Sequence, residues 1–327
     1  MDKKWLRWLA APAVALMLAA CGGGEESADK PADQQEEGTG QESAEQAAFP
    51  VTMTDAVGNE ITLEEEPDAI VSMIPSNTEI LFAVGAGDAV VGVGDFDDYP
   101  AEAQEIEKIG GLEFNVEKIL SLDPDLVLAH GSAMGTHEAG LQQLRDAGVT
   151  VFVVEEAQDF ETAYETIEQI GELTGNSEEA ADVVDEMQSK VNEIVGATEG
   201  MEPKKVFAET SPAPEIYTPG GGTFTDEMLG MIGAENAAGD QEGWVMMDPE
   251  EIISRNPDVI LVMYSYMEGA VDGVKAREGY GTVSAVKNDA VVQVDENITS
   301  RPGPRLADGL EAIAKAVYPE AFEGGNE

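Results

Sequence analysis

Basic side chains are scarce in this 327-residue chain. It contains 17 Lys and Arg against 66 Asp and Glu, which gives a formal net charge of −49. Binding to a nucleic-acid backbone requires a basic face, so this balance excludes a nucleic-acid partner. It also argues against electrostatic docking on an anionic lipid surface. Carboxylates at this density are typical of a solvated surface.

Cysteine and histidine are rarer still. Cys21 is the only cysteine, so no internal disulfide can form, and the only histidines are His130 and His137. The sequence contains no Gly-x-Ser-x-Gly, Walker, His-Glu-x-x-His or Cys-x-x-Cys motif. We therefore predict a binding protein with no catalytic residue, no metal site and no resident cofactor. Because acidic residues are abundant, a surface-anchored hydrolase that uses carboxylates remains as an alternative.

One apolar run stands out near the start of the chain. Three basic residues precede Trp8–Ala20, a run that is short for a membrane span and ends in small residues. This pattern predicts a cleaved export signal over residues 1–20. Cys21 follows Leu-Ala-Ala directly and resembles the lipobox cysteine of bacterial lipoproteins, whose thiol is acylated. The resemblance implies an exported protein that a lipid on Cys21 holds at the membrane.

The segment after the cysteine is poor in large apolar residues. From Gly22 to about Ala48 it consists mainly of Gly, Glu, Ser, Gln and Ala. Such a composition cannot bury enough surface to offset the entropy lost on ordering. Residues 21–48 are therefore predicted to be a lipid-anchored, flexible, acidic linker, with a globular body beginning at Phe49.

Apolar runs rich in Val, Ile and Leu alternate with stretches of helical periodicity in the body. Continuous runs of this kind are typical of parallel strands that helices cover on both faces. The fold class is therefore predicted to be α/β. The predicted strands are Ala69–Ile74, Ala89–Val93, Leu126–Ala129, Val149–Val154, Val206–Glu209, Val259–Met263 and Val291–Val294.

Two segments of the body recur later in the chain. Glu117–Leu128 reappears 133 positions later as Glu250–Leu261, with six of the twelve positions identical. Asn77–Ala86 is echoed, in the same order, by Thr225–Ala234. Two echoes in the same order indicate two lobes of similar topology. We assign the N-terminal lobe to residues 49–176 and the C-terminal lobe to residues 201–327.

A helix is predicted between the lobes, over Ser177–Thr198. Its apolar residues form one stripe at helical spacing, and Asn176-x-x-Glu179 has the form of a capping box. At 1.5 Å per residue this helix would be about 30 Å long, enough to bridge one lobe to the next. The interlobe helix is assigned to residues 177–200, and a helical bridge predicts only a small closing motion.

A run near the start of the body, Ile74–Asp88, resembles the opening signature of the solute-binding proteins that serve ABC importers of cobalamin, haem and iron siderophores. The resemblance extends in order over residues 50–320. Other segments that carry it are Val91–Val93, Asp98–Pro100, Gly110–Gly111, Asn115–Ile119, Asp123–Val127 and Ser300–Arg305. A narrower resemblance, to vitamin B12-binding lipoproteins of Gram-positive bacteria, rests on Gly111–Ile119, Ser211–Tyr217 and Glu235–Trp244.

This resemblance implies a fold and a role. The family has two α/β lobes with central parallel sheets, joined by a single rigid helix, and holds its ligand in the cleft between them. The expected ligand is cobalamin or another corrinoid, with a ferric siderophore or haem as the alternative. The expected partners are an ABC permease dimer and its ATPase. The protein would be a monomer on the extracytoplasmic face of the cell membrane.

Two glutamates are candidates for contact with the permease. In the family, one glutamate on each lobe meets arginines of the permease dimer, and by position these are Glu117 and Glu250. The internal repeat supports the choice, because the two residues occupy equivalent places in its copies and a twofold permease needs two equivalent contacts. Carboxylate–arginine pairs are geometrically specific. The alternatives are ordinary acidic residues of a helix's first turn, and Glu251 in place of Glu250.

Five residues are candidates for ligand binding on the same resemblance. Aromatic walls suit a broad, flat ring, and one or two polar groups fix its orientation. Phe96 and His130 follow predicted strands, where α/β sheets place ligands, while two aromatic residues lie in predicted loops. Each aromatic could instead be plain packing, His130 could ligate a metal of the ligand, and the arginine could pair with a neighbouring acid. The five candidates are Phe96, His130, Tyr217, Trp244 and Arg301.

Overall fold

A computed structural model describes residues 49–323 of the chain. The predicted export signal, the acidic linker and Cys21 lie outside these residues. The strands are β1 (Val51–Thr54), β2 (Glu60–Leu63), β3 (Ile70–Ser72), β4 (Val90–Gly92), β5 (Leu126–His130), β6 (Thr150–Val154), β7 (Lys205–Glu209), β8 (Tyr217–Pro219), β9 (Glu235–Asn236), β10 (Trp244–Met246), β11 (Val259–Val262) and β12 (Val291–Gln293). The α-helices are α1 (Pro75–Ala83), α2 (Val116–Ser121), α3 (Met134–Asp146), α4 (Phe160–Leu173), α5 (Ser177–Thr198), α6 (Phe224–Met231), α7 (Pro249–Arg255), α8 (Ala270–Lys275), α9 (Ser284–Lys287), α10 (Glu296–Ser300) and α11 (Leu306–Val317).

Two four-stranded parallel sheets form the centres of the two lobes. The first has the order β4-β3-β5-β6 and the second the order β12-β11-β7-β9. Every residue of β5 and of β11 is buried, as continuous apolar runs in covered parallel strands require. The α/β prediction with parallel sheets in two lobes is confirmed, and all seven predicted strands are present with bounds that differ by one or two residues.

The internal repeat corresponds to equivalent parts of the two sheets. In each lobe the repeated segment forms a short helix, α2 or α7, followed by an inner strand, β5 or β11. The Asn115 side chain caps α2 by accepting a hydrogen bond from the Lys118 backbone N–H at 3.0 Å. The Asp248 side chain makes no such bond at the start of α7. Pro249 is the first residue of α7, and because proline has no backbone N–H it needs no hydrogen-bond acceptor there.

The helix between the lobes has the predicted bounds. It packs against α4 of the N-terminal lobe and α11 of the C-terminal lobe, and Val184, Met187 and Val191 on its apolar stripe are buried. The predicted capping box is absent, because the Asn176 amide donates to the Thr174 carbonyl at 2.8 Å and does not accept from the helix. Two acidic residues in the first turn still favour the positive end of the helix dipole.

One hydrophobic core includes side chains of both lobes. Buried Leu128 of the first sheet and Leu261 of the second belong to it, together with Val184 and Ile194 of α5 and Leu310 of α11. A large rotation of one lobe on the other would expose part of this core to water. Within residues 49–323, none of the helices has the length and apolar character required to span a bilayer.

Two short antiparallel pairs were not predicted. β1 pairs with β2, and β8 pairs with β10 in a two-stranded ribbon in which Tyr217 lies opposite Met246. Tyr217 and Trp244 were predicted to lie in loops, and both belong to this ribbon. Strands of three residues among Gly and Pro carry too little periodicity for a sequence pattern to reveal.

Candidate functional site

A cavity of about 380 Å³ lies between the two lobes. His130 at the end of β5 and Glu156 after β6 line it from the N-terminal lobe, and Thr210 after β7 and Met263 after β11 line it from the C-terminal lobe. The carboxyl ends of strands in both sheets therefore face the same space, which is where parallel α/β sheets bind ligands.

His130 is buried where this cavity meets a second one. The Ser132 backbone N–H donates to His130 Nδ1 at 3.3 Å, and the Ser132 hydroxyl lies 2.8 Å from the same nitrogen. A ring nitrogen that accepts a hydrogen bond carries no proton, which assigns the proton of the neutral ring to Nε2. Burial lowers the pKa of His130, with Glu156 opposing the shift. The ring is therefore neutral near pH 7 and presents an N–H donor.

The second cavity, of about 320 Å³, lies on the N-terminal lobe beside the first. Phe96 and Leu112 line it and are largely exposed, at 58% and 83% of their surface. His137 lines it too and is fixed by its Nε2 contact of 3.0 Å with the Leu112 carbonyl and by the edge of the Phe114 ring. Leu112 and His137 had not been predicted as site residues.

Three large side chains share one face of the β8–β10 ribbon. Trp244 and Met246 are two residues apart on β10, and Tyr217 lies opposite Met246, so all three point the same way. They are exposed at 59%, 58% and 43% respectively. Trp244 also lines the interlobe cavity, whereas Tyr217 lines neither cavity. The alternation Trp-x-Met was the only sequence signal for Met246.

Glycines allow the chain after β8 to pair closely with the loop that leads into β10. The Gly220 N–H donates to the Gly243 carbonyl at 2.7 Å, and the Gly221 N–H donates to the Gln241 carbonyl at 2.6 Å. A Cβ at Gly220 would lie 2.1 Å from the Gln241 carbonyl oxygen, so no other residue fits there. The close backbone pairing fixes the direction in which Trp244 projects.

Arg301 forms ion pairs with two carboxylates of the N-terminal lobe and lines neither cavity. Its Nη1 is 2.9 Å from Glu79 Oε1 and 2.6 Å from Asp98 Oδ1. Arg305 donates to both oxygens of Glu79 and lies over the Tyr99 ring, 3.9 Å from its centre. The alternative role for Arg301, pairing with an acid, is therefore the one that its contacts favour.

The two candidate docking glutamates lie in equivalent helix turns. Glu117 is in the first turn of α2 and Glu250 is in the first turn of α7, and both side chains are exposed. Neither forms an ion pair with any part of the chain that the structure describes. Glu251 is bound to Arg255 at 2.6 Å, so its carboxylate is already engaged.

The sequence matches the model of one protein family. The family is described as periplasmic binding protein, and the match covers residues 70–298, which include both sheets and α5. A Bacillus subtilis protein named as an uncharacterized ABC transporter substrate-binding lipoprotein, YvrC, is 44% identical over 99% of this chain and 100% of its own length.

Two further relatives differ in what their names say they bind. A solved structure from Staphylococcus epidermidis, described as a possible iron-binding (periplasmic solute-binding) protein, is 36% identical with a TM-score of 0.71. It covers 78% of this chain and 100% of its own. A cobalamin-binding protein of Halobacterium salinarum is 32% identical over 83% of this chain and 75% of its own length.

Proposed function

The chain belongs to the periplasmic binding protein family, and we propose that it captures a corrinoid between its lobes and delivers it to an ABC importer. It is a substrate-binding protein of an ABC transporter and not an enzyme. The ligand must match the shape and the chemistry of the site between the lobes.

The apolar lining of the two cavities is the observation that supports a corrinoid as the ligand. Large apolar side chains flank them on both lobes, with Phe96 and Leu112 on one side and Trp244 on the other. Exposed apolar surface of this kind suits a ligand with broad apolar faces. A corrin ring offers such faces, and aromatic walls contact them at little cost in conformational entropy.

The charges of the cavities also favour a corrinoid. Glu156 and Glu296 line the interlobe cavity and Asp97 lines the smaller one, whereas no Lys or Arg among residues 49–323 lines either. These carboxylates would repel haem propionates or an anionic siderophore. The peripheral arms of a corrin are neutral amides, which both donate and accept hydrogen bonds.

An iron-bearing ligand, a ferric siderophore or haem, is the second candidate, because the similar Staphylococcus epidermidis protein is described as possibly iron-binding. An axial bond from His130 would require a free lone pair on Nε2. The Ser132 contacts place the proton on that nitrogen, so His130 acts as a hydrogen-bond donor in this arrangement.

Transport requires attachment and docking as well as binding. We propose that Cys21 carries the lipid that holds the protein at the extracytoplasmic face of the membrane. Glu117 and Glu250 would then contact arginines of the permease dimer, one from each lobe. Their exposure and equivalent places in the repeat support this role.

Tryptophan fluorescence tests where the ligand binds. The chain has three tryptophans, Trp5, Trp8 and Trp244, so a protein that begins at Gly22 retains only Trp244. A corrin bound between the lobes would quench this indole with a saturable, one-to-one titration curve. Tight binding of cyanocobalamin that leaves the emission of Trp244 unchanged would contradict the proposed site.

A further inference from the structure

Asp97 is a buried carboxylate in the loop after β4. It is 2% exposed and forms part of the wall of the 320 Å³ cavity. Its Oδ1 accepts a hydrogen bond from the Thr78 hydroxyl. Its Oδ2 is shielded from solvent and has no hydrogen-bond partner among residues 49–323. A buried polar atom without a partner is costly, which points to a ligand group that completes it.

The charged side chains near Asp97 form no hydrogen bond with its Oδ2 atom. Lys108 donates to backbone carbonyls, that of Asp97 at 3.0 Å and that of Ala103 at 3.3 Å, and makes no ion pair with the carboxylate. Arg301 is engaged by Glu79 and Asp98. Asp97 Oδ2 packs closely against Gly94, where a Cβ would lie 2.8 Å from this oxygen.

The cavity offers a donor as well as an acceptor. His130 lines the same space and carries its proton on Nε2, while Asp97 supplies an acceptor that no group among residues 49–323 pairs with. A primary carboxamide has an N–H donor and a carbonyl acceptor, so it matches this pair. A carboxylate has no donor for Asp97 and would meet its negative charge at short range.

We propose that the cavity beside Phe96 is a subsite for a carboxamide arm of the ligand, and that Asp97 Oδ2 accepts a hydrogen bond from the amide N–H. This inference rests on the proposed function and deepens it. Asp97 would distinguish corrinoids, which carry amide arms, from tetrapyrroles that carry carboxylates. A buried acceptor that only a donor can satisfy rejects ligands lacking one more strongly than an apolar wall does.

The pH dependence of binding follows from this hydrogen bond. Burial raises the pKa of Asp97 to about 6, with Thr78, Lys108 and Arg301 opposing the shift and Asp98 adding to it. An amide N–H stabilises the ionised carboxylate, so the pKa of Asp97 falls in the complex. Affinity for a corrinoid therefore rises with pH up to about 6 and is level above it. A propionate in the subsite would raise the pKa and reverse the slope.

The test compares ligands that differ in one arm. Cyanocobalamin and its monocarboxylic acids, in which one peripheral amide is hydrolysed, are titrated into the wild type, Asp97→Asn and Asp95→Asn. Asp95 is an exposed carboxylate in the same loop and serves as the matched control. We expect Asp97→Asn to weaken cyanocobalamin binding by about tenfold or more, the scale of a charge-assisted hydrogen bond, with Asp95→Asn unchanged.

One monocarboxylic acid should bind the wild type at least about tenfold more weakly than the others, and this difference should disappear in Asp97→Asn. Equal affinities for all the acids, or the same difference in both proteins, would overturn the subsite while leaving corrinoid binding intact. A wild type that does not bind cyanocobalamin at all would overturn the proposed function and the subsite together.

The pH profile of cyanocobalamin binding, compared between the wild type and Asp97→Asn, provides a second measurement. Burial lowers the pKa of His130, which lines the same cavity, so the Asp97 contribution is the part of the profile that Asp97→Asn loses. Affinity that falls as pH rises toward 6, or a profile that Asp97→Asn does not change, would overturn the proposal.

Discussion

Arg301 of the C-terminal lobe and the buried Glu79 of α1 form an ion pair across the two lobes, with 2.9 Å between Nη1 and Oε1. Arg305 binds the same carboxylate in two places, at 2.9 Å and 2.7 Å. The segment after α10 is therefore bound to the N-terminal lobe by ion pairs. Together with α5 it gives the two lobes a second connection, which restricts their relative motion.

Removing the shared carboxylate should destabilise the protein. In Glu79→Gln two partly buried guanidinium groups lose their common partner, and leaving a buried charge unpaired costs about 3 kcal/mol. We expect the free energy of unfolding, measured by urea denaturation, to fall by about this amount. Glu102→Gln, an exposed change of the same type, should leave it within about 0.5 kcal/mol. Equal stability of the two variants would show that the pairs contribute nothing.

Trp244 should contribute strongly to ligand binding. It is exposed on the ribbon and lines the interlobe cavity, so Trp244→Ala removes a large contact surface from the ligand and little from the core. We expect the affinity for cyanocobalamin to fall about tenfold or more, without a change in the midpoint of thermal unfolding. Calorimetric titration measures the first quantity directly.

Tyr266→Ala provides the matched control for Trp244→Ala. Tyr266 is an exposed aromatic residue of the same lobe, at 69%, and lines neither cavity. We expect it to leave ligand affinity unchanged. Equal losses in both variants would indicate a general effect on the C-terminal lobe and would contradict a specific role for Trp244.

Glu117 and Glu250 should affect transport and leave binding unchanged. Replacing either with Arg places a positive charge opposite the expected permease arginines. The loss of one close charge pair lowers the affinity for the permease by more than tenfold. We expect uptake of labelled cobalamin by cells to fall by at least that factor for each variant, with unchanged ligand affinity of the purified protein. Glu193→Arg, an exposed change on α5, is the control. Normal uptake in both docking variants would contradict the assignment.

The parts of the fold that could be predicted from sequence are those set by local pattern. The continuous apolar runs of β5 and β11 and the stripe along α5 follow from the periods of strands and helices. The internal repeat alone indicates two lobes of similar topology. The β8–β10 ribbon was missed because its strands have three residues each and lie among Gly and Pro.

The site was harder to predict because its chemistry depends on distant contacts. The ion pair of Arg301 could not be predicted, because its partner Glu79 lies 222 positions away in sequence and no local pattern connects them. Asp97 carries no signal in the sequence either, since an Asp in a loop is usually exposed. Its proposed role rests on its burial and on its Oδ2 atom, which has no hydrogen-bond partner among residues 49–323.

The identity of the ligand is tested most directly by titration calorimetry of the protein from Gly22 onward against cyanocobalamin, haem and a ferric hydroxamate siderophore. We expect tight one-to-one binding of cyanocobalamin and at least about a hundredfold weaker binding of the other two. Tight binding of haem or the siderophore, with no heat from cyanocobalamin, would contradict the corrinoid assignment and leave the transport role in place.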